Sequence, residues 1–270
     1  MSHEDAEMRG HGQDGLSLVE LMVALAISSF LILGVTQIYL DNKRNYLFQQ
    51  GQSENQENGR FTLQLLEQQL AKAGFRRRPD DQLDFAFPAV TASQTGITDC
   101  AFAAGEAVKS VNAKTLCIRY QPRDTAEVDC LGNGRSANNA AIAQPYTSPV
   151  ENFVEKIGVN DNGQLICTSK NASGETSGVL VDGITDIRFD YGVNTTEDRE
   201  VTSFKVTPAG GDFIRVVRYS ALMSTSQGNI SQDVQFKTYK EWYGEDATAP
   251  TDGKIYQIAK STMTLRNQMP

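Results

Sequence analysis

The chain has 270 residues, of which 40% are hydrophobic and 21% charged, so it contains enough apolar material for one sizeable folded domain. Its formal net charge of −8 at pH 7 does not favour nucleic acid as a partner. Both histidines, His3 and His11, lie near the N-terminus, ahead of a long apolar segment, so no histidine-dependent nucleophile, base or metal site is expected after it. We predict no catalytic, cofactor-binding or metal-binding residues and no enzyme activity.

The first element is an apolar run that contains a single acid. Residues 16–40 carry one charged side chain, Glu20, and the run is long enough to cross about 30 Å of hydrocarbon as a helix. An acid inside such a helix costs roughly 2.5 to 3.5 kcal/mol on insertion scales. The carboxylate therefore needs a partner, and a free amine at a new N-terminus would provide one.

The junction Gly15-Leu16-Ser17-Leu18-Val19-Glu20 resembles the N-terminus of type IV prepilins and type II secretion pseudopilins. The resemblance implies that a prepilin peptidase cuts between Gly15 and Leu16, and that Glu20 pairs with the N-terminal amine of a neighbouring subunit during assembly. A signal anchor or a secretory signal peptide fits less well, because a secretory signal is cut after its apolar region rather than before it. The acidic stretch 1–7 leaves the start codon open between Met1 and Met8.

The pattern after the apolar run predicts one long helix over residues 16–75. Apolar residues continue at spacings of three and four while the sequence turns polar, which indicates an amphipathic second half. Gly51 and Gly59 are interpreted as positions where the helix bends or loosens, and Gly74 as its C-terminal stop. The basic triplet 76–78 is interpreted as a solvated exit from the helix, with a subunit contact as the alternative.

Short segments of β type, separated by turns, follow from residue 85 onward. They are rich in branched and aromatic residues, and Asn160 to Gly163 has the composition of a tight hairpin turn. Residues 132–148, 194–211 and 244–253 are predicted to be loops. The predicted strands are Thr115–Tyr120, 165–167, 179–181, 184–191, 213–222 and 254–265.

All four cysteines, Cys100, Cys117, Cys130 and Cys167, lie after the apolar segment. An even count without a Cys-x-x-Cys spacing favours two structural disulfides in an oxidising compartment, although the sequence alone permits three pairings. The basic residues after the run outnumber those before it, which would place the C-terminal part in the cytoplasm by the positive-inside rule. We give the cysteines and the prepilin junction more weight and expect a periplasmic domain.

Several later motifs resemble the PilW family of type IV pilus minor pilins. They begin with Asn58-Gly59-Arg60-Phe61 and Ala73-Gly74-Phe75 at the helix exit and continue with Asp129-Cys130-Leu131-Gly132, Leu165-Ile166-Cys167, Leu180-Val181-Asp182-Gly183-Ile184, Asp190-Tyr191-Gly192-Val193 and Val216-Val217-Arg218-Tyr219. The order of these motifs after a prepilin junction carries the resemblance. It implies a Cys130–Cys167 disulfide and, with it, Cys100–Cys117. The family often has a cysteine shortly after the helix exit, where this chain has arginines.

The resemblance implies an α+β, type IV pilin-like fold, with a long N-terminal helix packed on an antiparallel β-rich domain. The predicted parts are a prepilin leader at 1–15, a transmembrane and assembly helix at 16–75 and a periplasmic β-rich domain at 76–270. We predict a minor pilin that, with other minor pilins, the major pilin and a tip adhesin, primes pilus assembly at the inner membrane and then sits at the fibre tip. Twitching motility and adhesion would depend on it. The alternatives are a J-type pseudopilin of a type II secretion system and a ligand-binding adhesin that uses loops near Asn138 and Asn194. For the adhesin, no pocket is marked in the sequence.

Overall fold

The computed structural model of the protein describes residues 17–196, 198–230, 236–248 and 250–269. The chain divides into two compact units, residues 1–47 and 48–270. Helix α1, Leu18–Lys72, begins in the first unit and ends in the second. Gly74 follows it with φ of +74°, which ends the helix as the sequence predicts.

The second unit contains two antiparallel sheets. The first has five strands in sequential order β1 to β5, and the second has the order β7-β6-β8-β9. The strands of the first sheet are β1 Val108–Asn112, β2 Thr115–Tyr120, β3 Phe153–Val159, β4 Gln164–Asn171 and β5 Gly174–Asp182. Those of the second are β6 Ile184–Asn194, β7 Ser203–Lys205, β8 Phe213–Ser224 and β9 Tyr256–Thr264.

Short helices fill the connections. They are α2 Leu83–Ala86, α3 Ala92–Thr95 and α4 Phe236–Tyr243, with 3₁₀ turns at Ser136–Asn138 and Arg266–Gln268. The predicted fold class, a long helix followed by an antiparallel β-rich domain, is confirmed. The prediction missed β1, β3 and α4, and it placed β7 within a loop.

The hairpin signal at Asn160 marks the β3–β4 connection. Gly163 has φ of +72° there, and the side-chain oxygen of Asn160 accepts hydrogen bonds from the backbone amides of Asn162 and Gln164 at 3.1 and 3.0 Å. The turn therefore depends on the two residue types that the sequence pattern identified.

The main core lies between the C-terminal part of α1 and both sheets. Leu66 and Leu70 of α1, with Ala73 directly after it, are buried in the same cluster as residues of β2, β6 and β8. Examples from the strands are Leu116, Phe189 and Tyr219. A smaller separate cluster lies beneath the irregular segment that precedes β1. It contains Ile97, Cys100, Phe102, Cys117 and Val154.

Candidate assembly and interaction sites

The N-terminal part of α1 is an exposed apolar helix. Among the described residues, α1 is the one helix long and apolar enough to cross a membrane, and no part of its apolar window is buried. The hydroxyls of Ser29 and Thr36 donate to the carbonyls of Leu25 and Ile32 at 2.8 and 2.7 Å. Because these polar groups are satisfied within the helix, the segment can enter a medium without water.

Glu20 is the exception in this segment. It lies in the first turn of α1 and is exposed, so its carboxylate is open to a partner outside the chain. An acid near a helix N-terminus also interacts favourably with the helix dipole. The predicted cleavage residues, Gly15 and Leu16, lie outside the described residues.

The face of α1 that packs on the second sheet is built from small and polar residues over about three turns. The buried positions begin with Gly51, Asn55, Gly59 and Thr62 and continue with leucines. A Cβ atom at Gly51 would lie 2.8 Å from Cγ2 of Thr225, and one at Gly59 would lie 3.3 Å from Cβ of Ala259. The two glycines allow the helix to approach the sheet closely, and α1 is continuous through both. Their interpretation as bending points stays a prediction.

Asn55 fixes this contact with a hydrogen bond. It is buried, and its side-chain nitrogen donates to the carbonyl of Ile255 at 2.8 Å. Because Ile255 directly precedes β9, the bond joins the helix to the edge of the sheet. A hydrogen bond in a buried setting depends strictly on geometry, so it sets the register of the helix on the sheet.

Two disulfides are present, Cys100–Cys117 and Cys130–Cys167, with Cα–Cα distances of 5.7 and 6.4 Å. They are the pairs that the family resemblance implies. Each joins an irregular segment to a strand, the first to β2 and the second to β4.

A buried acid lies beside the second disulfide. One oxygen of Glu155 accepts hydrogen bonds from the hydroxyl of Tyr120 at 2.7 Å and from the amide of Cys130 at 2.9 Å. The other oxygen has no partner among the described residues, and burial raises the pKa of this carboxyl group. Cys130, Glu155 and Cys167 have the spacing of metal ligands, but both thiols are consumed by the disulfide, so the group is structural.

The basic triplet after α1 is not a simple solvated exit. The guanidinium of Arg77 donates to the carbonyls of Thr147, Gln144 and Ile142 at 3.0, 2.9 and 3.3 Å, and also to that of Arg123. One half-buried side chain therefore holds the loop 142–147. Arg78 next to it pairs with Asp80 and Asp81.

The loops near Asn138 and Asn194, which were predicted as contacts of an adhesin, are held in place by these two asparagines. Asn138 is buried, and its side-chain oxygen accepts from the amides of Val150 and Glu151 at 2.8 and 2.9 Å. Asn194 is also buried, and its side-chain nitrogen donates to the carbonyl of Glu200 at 3.1 Å. Neither side chain is presented to a ligand.

The structure nevertheless forms a cavity that the sequence did not mark. It has a volume of about 440 Å³ and lies between α2, the segment 148–152 and the ends of β2 and β4. The lining comes from five separate parts of the chain. Sequence reasoning had no local signal for it, because no motif or spacing joins these parts.

Two family descriptions match the chain. Residues 10–36 match the prokaryotic N-terminal methylation motif, a segment that includes Gly15, Leu16 and Glu20. Residues 153–267 match the family described as type IV pilus-assembly protein W, or PilW. This combination, with the exposed apolar helix and the antiparallel domain, defines a type IV pilin-like protein.

The chain carries a PilW domain behind a prepilin-type N-terminus, and the predicted resemblance to the PilW family is confirmed. A comparison with curated proteins finds no significant match. Among solved structures, the chain is similar to a type IV-like pilin from Thermus thermophilus, with 12% identity over 79% of this chain and 96% of the other and a TM-score of 0.47. The matched families are structural rather than enzymatic.

Proposed function

We propose that this protein is a minor pilin that forms, with other minor pilins and a tip adhesin, a complex that primes type IV pilus assembly and remains at the fibre tip. The observation that carries the proposal is the combination of an exposed apolar α1 segment with a PilW domain. An exposed helix of this kind is stable only in lipid or against other apolar helices. Priming uses both environments in turn, first the inner membrane and then the helix bundle of the fibre.

The proposal includes cleavage by the prepilin peptidase between Gly15 and Leu16. Cleavage would create the amine that neutralises Glu20 of a neighbouring subunit within the bundle. Mass spectrometry of the protein from cells should find Leu16 at the mature N-terminus, and replacement of Gly15 by a bulky residue should leave only precursor. A different mature N-terminus would contradict this part of the proposal.

The two disulfides support a periplasmic domain, because such bonds persist in oxidising compartments. With the second unit in the periplasm, α1 is anchored in the inner membrane as a single span. Labelling of an introduced cysteine by a membrane-impermeant reagent in intact spheroplasts measures this orientation. Protection of the second unit would overturn it.

Counting fibres in a deletion strain tests the priming role. Loss of a priming subunit should abolish or sharply reduce surface pili while the major pilin remains abundant in the inner membrane, and disabling retraction should relieve the defect. Twitching should fall with fibre number. A dedicated adhesin predicts the opposite pattern, with normal fibre numbers and lost attachment.

The role of Glu20 is tested with a matched control on the same helix. Glu20→Ala should be cleaved and inserted normally but fail to enter fibres, because the amine of the neighbour then lacks a counter-charge. Asp41→Ala is the control, since Asp41 is an exposed acid of α1 whose side chain contacts only Gln37 among the described residues, at 3.2 and 3.3 Å. Equal incorporation of the two variants would show that Glu20 has another purpose.

A further inference from the structure

The cavity beside α2 is an open groove with apolar residues at its rim. We define the groove by Phe85, Pro88, Arg119, Pro149, Val150 and Lys170, which all line it. Phe85 is 72% exposed and Val150 is 67% exposed. Two large exposed side chains that line one groove form the kind of apolar surface that another protein covers.

The wall that carries Val150 is held rigidly. The buried side chain of Asn138 bonds the amides of Val150 and Glu151 and donates to the carbonyl of Glu151 at 2.9 Å. Arg77 fixes the preceding loop through its bonds to residues 142–147. Within that loop Tyr146 has φ of +59°, a conformation that costs a non-glycine residue about 1 to 2 kcal/mol. The exposure of Val150 is therefore enforced by buried contacts.

Two of the residues that line the groove, Arg119 and Lys170, are cations, although the chain as a whole is acidic. Arg119 is buried and donates only to carbonyls, those of Pro88 and Phe87 at 2.7 and 3.0 Å among them. Burial lowers the pKa of Arg119 to about 10, so it stays charged at neutral pH. Lys170 has no ion pair within the described part of the chain. Its register partner Glu175 is engaged by Lys156 at 3.3 Å instead.

The other charges of the lining balance once their partners are counted. Arg135 pairs with Asp129 at 3.5 Å, and Asp81 shares Arg78 with Asp80. Glu151 is an exposed acid of the lining. The buried guanidinium of Arg119 is engaged by backbone carbonyls, so Lys170 is the cation of the described lining that is free to pair with a carboxylate from outside.

We propose that the groove binds an extended segment of a neighbouring pilus subunit in which a carboxylate stands next to a large apolar side chain. The carboxylate pairs with the amine of Lys170, and the apolar side chain packs between Phe85 and Val150. The apolar rim selects for a protein segment over a small free acid, because a small acid would leave both rim residues exposed. The inference rests on the proposed function for the nature of the partner.

Site-specific photocrosslinking in cells that make pili tests the groove. A photoreactive phenylalanine analogue is placed at Phe85 or Val150 of the full chain, and at Val179 or Phe204 as controls. The control positions are 50% and 45% exposed and do not line the groove. We expect adducts with one pilus subunit at the groove positions only, and the crosslinked peptide should contain Asp or Glu.

Variants of Lys170 test the charge. Lys170→Gln should reduce the adduct yield about fivefold or more, Lys170→Arg should retain it, and Lys260→Gln, a lysine outside the groove, should leave it unchanged. Lys170→Glu should regain adducts when the identified acid of the partner is changed to lysine. The fluorescence of Trp242, which is buried in another cluster, reports whether each variant is folded.

Three crosslinking results would overturn the proposal: equal adduct yields at control and groove positions, adducts with a second copy of this chain or with a protein outside the pilus, and a crosslinked peptide without an acid. A full adduct yield in Lys170→Gln would overturn it as well. Failure of the proposed function is seen separately, as normal fibre numbers in the deletion strain. If the groove fails alone, the deletion still lacks fibres while Lys170→Gln behaves as wild type.

Discussion

Replacing Gly51 by alanine is expected to destabilise the second unit, although alanine is the better helix former. In the interior of an exposed helix the exchange would stabilise by about 1 kcal/mol. At Gly51 the new Cβ would lie 2.8 Å from Cγ2 of Thr225 and 3.3 Å from Cδ1 of Ile255. The first distance is shorter than any ordinary carbon–carbon contact.

Thr225 cannot rotate away to relieve the contact. Its hydroxyl donates to the carbonyl of Gln227 at 2.8 Å and accepts from the amide of Ile255 at 3.1 Å, and threonine is stiff at χ1. Overpacking of this kind costs about 1 to 3 kcal/mol. The gain in helix propensity offsets about 1 kcal/mol, which leaves Gly51→Ala destabilised by about 0 to 2 kcal/mol.

Thr225→Ser gives a matched rescue, because serine keeps the hydroxyl and lacks Cγ2. The double variant Gly51→Ala/Thr225→Ser should be more stable than the sum of the single changes predicts, by about 1 to 2 kcal/mol. Gly59→Ala is the positional control. Its Cβ would lie 3.3 Å from Ala259 and 3.7 Å from the flexible Met223, so it should change stability by less than about 1 kcal/mol.

Denaturant unfolding of the full chain in detergent, followed by the fluorescence of its single tryptophan, measures these differences. Trp242 lies in the second unit and is 5% exposed, so its emission reports on that unit. If Gly51→Ala were more stable than wild type and showed no coupling to Thr225→Ser, the close approach of helix and sheet would not be the reason for glycine.

Three other predictions concern the second unit. Arg77→Met keeps the aliphatic stem but removes the donors to the loop 142–147, so amide hydrogen exchange in that loop should rise and the free energy of unfolding should fall by about 1 to 3 kcal/mol. The control variant Arg78→Met should leave exchange in that loop unchanged. Non-reducing peptide mapping should recover Cys100 with Cys117 and Cys130 with Cys167, and four free thiols would also contradict the periplasmic orientation. Glu155 holds its proton more tightly in the folded state, because burial raises its pKa. Its contribution to the free energy of unfolding is therefore full below the unfolded pKa of about 4.3 and is lost as the pH rises through the folded pKa. Glu155→Gln should remove that part of the pH dependence, and a free energy of unfolding in urea that varies with pH between 4 and 8 as in wild type would contradict this.

The sequence predicted the elements whose signal is local. The predicted segment Thr115–Tyr120 has the bounds of β2, and the Asn160 turn connects two paired strands, because side-chain type and turn chemistry act within a few residues. The helix end at Gly74 was identifiable for the same reason. Strand β3 was missed although Phe153–Val159 has β-forming residues, since Glu155 and Lys156 interrupt its apolar pattern.

The sequence did not predict features that depend on distant contacts. Glycine inside a helix has the same local signal whether it bends the helix, faces open space or meets a sheet. A Cβ at Gly34 would meet nothing within 4 Å, while one at Gly51 would clash with a residue that is 174 positions away in the chain. Arg77 and Lys170 are likewise ordinary charged residues until the fold places carbonyls or a groove beside them.

The two disulfides fasten segments that have little regular secondary structure of their own. The segments between α1 and β1 and between β2 and β3 contain only single-turn helices, and the cluster beneath the first of them has just five buried residues. Cys100–Cys117 and Cys130–Cys167 join these segments to β2 and β4. Each bond stabilises the folded state by about 2 to 4 kcal/mol, because it restricts the conformations of the unfolded chain. Since the same segments supply Phe85 and Val150 of the groove, the bonds restrict the positions in which these apolar residues are exposed. A binding surface made from irregular chain needs that constraint, because a mobile loop would lose affinity to the entropy of ordering.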